Sequence, residues 1–300
     1  MNLYQTVTDR IVKQLEAGVI PWRQTWTTGS PKSLTTGKEY RGLNLLVLGA
    51  AGFTSRYWVT YREALRLGGH VRRGERASPV VYWKWRTEEE IQELTRKKPG
   101  YVARCVPFGA AVFNLDQVEG VARPADDVPN PDARRLEIAE HLIEVMPDKP
   151  QFAHLQVCPQ PAYIPLFDRI NLPHLSHFTS AGAYYAVLFH ELVHSTGHPK
   201  RLKRFGYYDG EGFEEYAFEE LVAEFGAAFL CAFTGIGNPL SESLQASYIQ
   251  GWSTALKKDP RLMARAASTA QIATDYIRGK LVIEETSSTS ELEEEAEHHE

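Results

Sequence analysis

Residues 181–194, which end in Phe189-His190-Glu191-Leu192-Val193-His194, restrict this chain more than any other segment. The apolar residues fit a buried helix, and four residues make about one helical turn, so His190 and His194 project from the same face. Two imidazoles placed in this way can share one metal ion, each with a ring nitrogen about 2.0–2.1 Å from zinc. Glu191 points beside such an ion rather than at it, where it can take a proton from an activated water. A packing helix gains nothing by turning a His-Glu pair toward its buried side.

A catalytic zinc keeps three protein ligands and an open fourth position. In one arrangement the third ligand is a histidine six residues after His194, but Lys200 stands there and His198 comes two residues early. In the other it is a glutamate on a second helix, followed four residues later by an acidic residue that accepts the remaining N–H of a ligating histidine. Residues 216–230 supply that helix, with a buried stripe marked by Leu221, Phe225, Ala228 and Phe229. Glu220 and Glu224 flank the stripe one turn apart, while Glu215 and Glu219 fall further round. Glu220 is the expected ligand and Glu224 the carboxylate behind the site, with the reverse order left open. Manganese or cobalt would satisfy the same donors as zinc. Between the helices, Arg201, Lys203, Arg204, Tyr207 and Tyr208 are candidates to line the cleft. Upstream, 161–173 is strand-like and bounded by prolines, which suits a sheet edge above the metal helix; His154, His174 and His177 lie nearby without ligand spacing.

Three hundred residues, 43% hydrophobic and 24% charged, make one large domain or two of ordinary size. No run of about 18 apolar residues is present for a membrane span. Asp9, Lys13 and Glu16 interrupt the N-terminal segment, which excludes a secretory h-region there. Cys105, Cys158 and Cys231 are too far apart for a disulfide framework or a thiolate zinc site, so a cytoplasmic protein is expected. Charge divides the chain. Residues 1–125 hold 19 Lys and Arg against 11 Asp and Glu, and the remainder holds 14 against 27. Three prolines and three aspartates fall in 123–132, which has the chemistry of a linker. The expected organisation is 1–123, a linker at 124–132, a second domain at 133–283 and a disordered acidic tail at 284–300.

The N-terminal part opens with an amphipathic helix on Leu3, Val7, Ile11 and Leu15. Residues 45–51 read as a buried helix, 60–67 as a short helix and 79–85 as a strand; 87–98 read as a charged insertion and 101–115 as a strand. Helices on a small antiparallel sheet are expected, in an α+β fold. Arginines and lysines here alternate with Trp22, Trp26, Tyr40, Tyr57, Trp58, Tyr61, Tyr82, Trp83 and Trp85. Cations that track phosphates beside rings that stack on unpaired bases suit single-stranded DNA. Taken one at a time, each of these tryptophans is equally at home in a core.

The chain also resembles the ArdC-type antirestriction proteins of conjugative plasmids. The likeness is carried by Ile20-Pro21-Trp22, Tyr40-Arg41-Gly42-Leu43-Asn44, residues 58–76, Phe113-Asn114, Asp168-Arg169-Ile170, residues 184–204 and Glu219-Glu220-Leu221-Val222-Ala223-Glu224. It implies an N-terminal single-stranded-DNA-binding domain and a C-terminal zincin-like metallopeptidase domain, together protecting incoming plasmid DNA from host restriction. The expected metal ligands are His190, His194 and Glu220, with Glu191 as the base and Glu224 behind them. The expected DNA contacts are Trp22, Arg23, Trp26, Tyr40, Arg41, Asn44, Arg56, Tyr57, Trp58, Arg72, Arg73, Arg76 and Lys84. A DNA-associated protein is the expected peptidase substrate. The alternative is a coating protein whose metal site is structural or vestigial. A nuclease fits less well, since phosphodiester cleavage favours carboxylate-rich magnesium or two-metal sites.

Overall fold

A computed structural model describes residues 3–17, 20, 22, 29–97, 104–127, 132–155, 160–204, 213–237 and 246–280. The N-terminal half contains α1 (Leu3–Glu16), β1 (Lys32–Ser33), α2 (Leu43–Gly49), β2 (Tyr57–Val59), α3 (Tyr61–Arg66), β3 (His70–Val71), β4 (Ser78–Trp85), α4 (Glu88–Lys97), β5 (Cys105–Asn114) and β6 (Val118–Glu119). The second half contains α5 (Asp132–Val145), β7 (Gln151–Leu155), β8 (Ala162–Ile164), β9 (Arg169–Pro173), α6 (Ala181–Ser195), α7 (Phe213–Thr234), α8 (Ala246–Lys258) and α9 (Leu262–Ile277). The acidic tail lies outside the described residues. No helix among the described residues is long and apolar enough to cross a membrane.

The N-terminal sheet has the order β1-β2-β5-β4. It is mixed rather than wholly antiparallel, because β1 pairs parallel to β2. α3 begins at a capping box, in which Thr60 accepts from the Glu63 N–H and the Glu63 carboxylate accepts from the Thr60 N–H. The charged insertion is itself a helix. Three glutamates open α4, Arg96 and Lys97 close it, and the helix dipole favours that order although α4 buries no residue.

A three-stranded sheet, β7-β9-β8, lies against α6. The prolines at its ends do not place both strands at an edge: β9 is central, parallel to β7 and antiparallel to β8, and only β8 carries the free edge toward α6. α7 is buried throughout from Leu221 to Ala232 and apolar on every side there apart from Glu224, as expected of a central helix. α6 and α7 approach closely at Gly226, where an added Cβ would come 2.5 Å from Val193 Cγ2. A side chain there would push apart the two helices that carry the candidate metal ligands.

The main core crosses the boundary expected from composition. Ile11, Val12, Leu15, Trp22, Leu45 and Leu46 share one cluster with Phe225, Trp252, Leu256 and Met263. Polar contacts follow the same seam: Thr8 donates to the Pro260 carbonyl at 3.0 Å, Gln271 accepts from the Gly42 N–H at 2.9 Å, and Arg41 pairs with Asp275. The proline- and aspartate-rich segment is also partly built in. Asp127 is buried and accepts from Ser55 Oγ at 2.5 Å and from the Arg56 N–H at 3.0 Å.

Candidate metal centre

α6 starts at Ser180, whose hydroxyl accepts from the Ala183 N–H, and it delivers His190, Glu191 and His194 as the four-residue spacing requires. α7 brings Glu220 opposite. The two Nε2 atoms are 3.1 Å apart, and Glu220 lies 3.7 Å from His190 Nε2 through Oε2 and 3.5 Å from His194 Nε2 through Oε1. Donors bound tetrahedrally to one ion at 2.0–2.1 Å are separated by about 3.3 Å. This trio therefore fits a divalent cation with small adjustments, and it is the one such group among the described residues. Each of the three side chains keeps about 15% of its surface exposed, which leaves a side open.

Behind each imidazole stands a carboxylate. Glu224 Oε1 lies 3.7 Å from His190 Nδ1, and its Oε2 accepts from the Trp22 indole N–H at 3.3 Å. Glu219 Oε1 lies 3.4 Å from His194 Nδ1. Glu219 is held by Arg204 through Nε at 3.1 Å and Nη2 at 2.7 Å, and Arg204 also donates to Thr196 Oγ1 and the Val193 carbonyl. Burial pushes the Glu219 carboxyl up, but its bonds to His194 and Arg204 outweigh this and hold it below the usual range. Burial works against a charged His194, yet Glu219 together with the charges of Glu191 and Glu220 raises its pKa. Such outer carboxylates fix the ring orientation of a ligating histidine and increase its basicity.

Glu191 is buried, and its Oε2 accepts from the backbone N–H of Tyr163 at 2.7 Å. That N–H points off the free edge of β8. β8 is fixed from behind: the Tyr163 hydroxyl donates to Asp168 Oδ1 at 2.9 Å, and Asp168 pairs with the fully buried Arg201, which also donates to the Ser195 and Asp148 carbonyls. Asp168 sits in the left-handed region (φ 46°) that a short polar side chain tolerates. Arg201 and Arg204, expected to line the cleft, are instead internal clamps; Tyr207 and Tyr208 lie outside the described residues. His198 accepts from the Lys200 N–H and stands apart from the trio, and His154, His174 and His177 form an exposed ring cluster. Glu219 escaped the sequence reading because its partner, Arg204, comes from the preceding loop. Three glutamates within six residues of an apolar helix were the available signal.

In the N-terminal half, the tryptophans and tyrosines expected to stack on bases are mostly internal. Trp22 and Trp58 are 2% exposed, Tyr57 5% and Tyr40 7%. Asn44 is occupied as well: its amide donates to the Val81 carbonyl and accepts from the Val81 N–H, both at 2.7 Å, which fixes α2 to β4. Arg56 turns inward to the Ser30 carbonyl. Arg41 pairs with Asp275 and Arg72 with Glu75, while Arg73 and Arg76 are exposed. Arg23 and Trp26 lie outside the described residues, and only the backbone of Lys84 is described, in β4. Among the described residues of this half, the exposed aromatic rings are Tyr61 (53% exposed), Phe108 (48%) and Tyr82 (36%). Tyr82 and Phe108 are cross-strand partners with stacked rings 5.5 Å apart. Phe108 carried no sequence signal, because nothing in its own segment distinguishes a solvent-facing ring from a core one.

Comparison with known proteins agrees with this geometry. Residues 1–114 match the family model for the N-terminal domain of anti-restriction factor ArdC, and 145–269 match a zincin-like metallopeptidase model. The Mn(II)-bound crystal structure of antirestriction ArdC protein from R388 plasmid superposes with a TM-score of 0.72 and 36% identity, covering 95% of this chain and 100% of that one. DNA primase TraC of Escherichia coli is 35% identical over 91% of this chain, which spans only 27% of its length. Protein y4eC of Sinorhizobium fredii is 33% identical, with 93% of this chain and 92% of the relative covered. On identity, coverage and fold together, the chain belongs to the ArdC antirestriction family, with a zincin-like domain following the ArdC N-terminal domain.

Proposed function

We propose that this protein binds single-stranded DNA through its basic N-terminal half and hydrolyses a protein met on or near that DNA, protecting plasmid DNA from restriction in the cytoplasm of the recipient cell. The observation that carries the hydrolase reading is the convergence of His190, His194 and Glu220 with a buried carboxylate, Glu191, fixed beside them. A divalent cation held by those three would supply a polarised water and a Lewis acid. Zinc suits the donor set, and manganese and cobalt also satisfy it. Glu191 would act as the base, positioned by Tyr163. Glu219 and Glu224 would orient the two imidazoles, and the rigid β8 edge would lie beside the substrate chain.

The DNA reading rests on the excess of Lys and Arg in 1–125 and on exposed Tyr61, Tyr82, Phe108, Arg73 and Arg76. The alternative is a coating protein whose metal site is structural or vestigial, since none of the residues named for DNA contact is one of the three metal ligands. Both readings are tested by incubating the metal-loaded full chain with a degenerate peptide library, with and without oligonucleotide. Cleavage by wild type and not by Glu191→Gln supports the hydrolase. Equal cleavage by both proteins overturns it, and full antirestriction by Glu191→Ala in a transfer assay favours coating.

A further inference from the structure

The contact between Trp22 and Glu224 joins residues 202 positions apart, one in the ArdC N-terminal domain and the other behind the candidate metal centre. Trp22 is 2% exposed and packs edge-on against Phe225 at 4.8 Å and Trp252 at 5.6 Å, so its ring has one orientation available. That orientation aims Nε1–H at Glu224 Oε2, and the other oxygen of the same carboxylate faces His190 Nδ1. Glu224 is itself buried, 4% exposed, so its two oxygens take their hydrogen bonds from protein donors rather than from bulk water.

We infer that Trp22 is a positioning residue of the metal centre: the N-terminal half completes the site by holding Glu224 in the orientation that sets the His190 ring. His194 receives the equivalent support locally, from Arg204 through Glu219. The two imidazoles are thus oriented by different halves of the molecule, and the affinity for a divalent cation depends on how the N-terminal segment around Trp22 is seated. This inference rests on the reading of His190, His194 and Glu220 as ligands.

The test uses the full chain and measures Zn²⁺ and Mn²⁺ dissociation constants by chelator competition, without reference to activity. Trp22→Phe keeps an aromatic ring, although a smaller one, and removes the indole N–H. It should weaken binding by roughly 3–10-fold, less than the 10–100-fold typical of losing an outer carboxylate outright, which Glu224→Gln should show. Because Trp22 acts through Glu224, adding Trp22→Phe to Glu224→Gln should cost no further affinity. Leu256→Ala, which loosens the same core at a residue other than the two rings that fix Trp22, should lower thermal stability and leave the metal affinity unchanged; Trp22→Leu serves if the phenylalanine variant does not fold. Wild-type affinity in the Trp22 variant, additive losses in the double variant or an equal loss in Leu256→Ala would overturn the inference. Failure of the wild-type chain to bind either metal would overturn the ligand reading as well.

Discussion

The Tyr163 backbone N–H and the Glu191 carboxylate meet at 2.7 Å, which ties the edge of the β8 sheet to the candidate base on the metal helix. Glu191→Gln retains an acceptor for that N–H, whereas Glu191→Ala removes this one. Both substitutions should abolish hydrolysis and spare metal binding, but the alanine variant should be less stable than the glutamine variant by about 1–3 kcal/mol. Urea unfolding of the two proteins checks this, and equal midpoints would show that Tyr163 gains nothing from Glu191.

Arg204 donates to Glu219 through two nitrogens, and both side chains are buried. Removing one partner strands a charge, so Arg204→Met should cost about 3–5 kcal/mol. Removing the charge from both, in Arg204→Met with Glu219→Gln, should recover part of that loss. Chemical denaturation of the two variants measures the difference; a double variant no more stable than the single one would mean that the lost packing of the Arg204 stem outweighs its charge.

Asp168 supplies a pH signature away from the metal ligands. Burial pushes its carboxyl up, but hydrogen bonds from Arg201 and Tyr163, with the charges of Arg201 and His198, hold it below the usual range. A depressed carboxylate stabilises the fold above its unfolded pKa of about 3.9, and that contribution disappears as pH falls through the lower folded value. Asp168→Asn tolerates the left-handed backbone and removes the charge together with one of the two oxygens that accept from Arg201. Its stability deficit should be full at neutral pH and should shrink below about pH 3.9, as followed by thermal unfolding from pH 2 to 7. A deficit that does not change with pH would remove the ionic explanation.

Phe108 and Trp58 separate DNA contact from packing. Phe108→Ala should weaken single-strand binding by up to about 1–3 kcal/mol with little change in melting temperature. Trp58→Ala should cost about 3–5 kcal/mol of stability, because the ring is wholly enclosed. Fluorescence anisotropy with an oligonucleotide over a salt series, beside calorimetry, distinguishes the two; Arg73→Ala should also flatten the salt dependence.

What the sequence made legible was periodic or local. The four-residue spacing located His190 and His194, and the glutamates around the apolar stripe located Glu220 and Glu224. The short helix α3 and the β4 and β5 strands followed from short-range pattern. Relations made by tertiary packing were not legible. A tryptophan among arginines reads alike whether it stacks on a base or, as Trp22 does, packs against Phe225 and donates to Glu224. The composition change near residue 125 reflects surface charge and says nothing of cores, which is why Leu15 and Leu256 occupy one cluster across it.

That continuity has a practical consequence for anyone who cuts the chain. A protease site inserted between residues 128 and 131 would sever the polypeptide and leave untouched the seam where Ile11, Leu15 and Trp22 meet Trp252 and Leu256. The nicked halves should migrate as one particle. Expressed separately, each should present a greasy wound where the other belongs, and either should be rescued from aggregation by its complement.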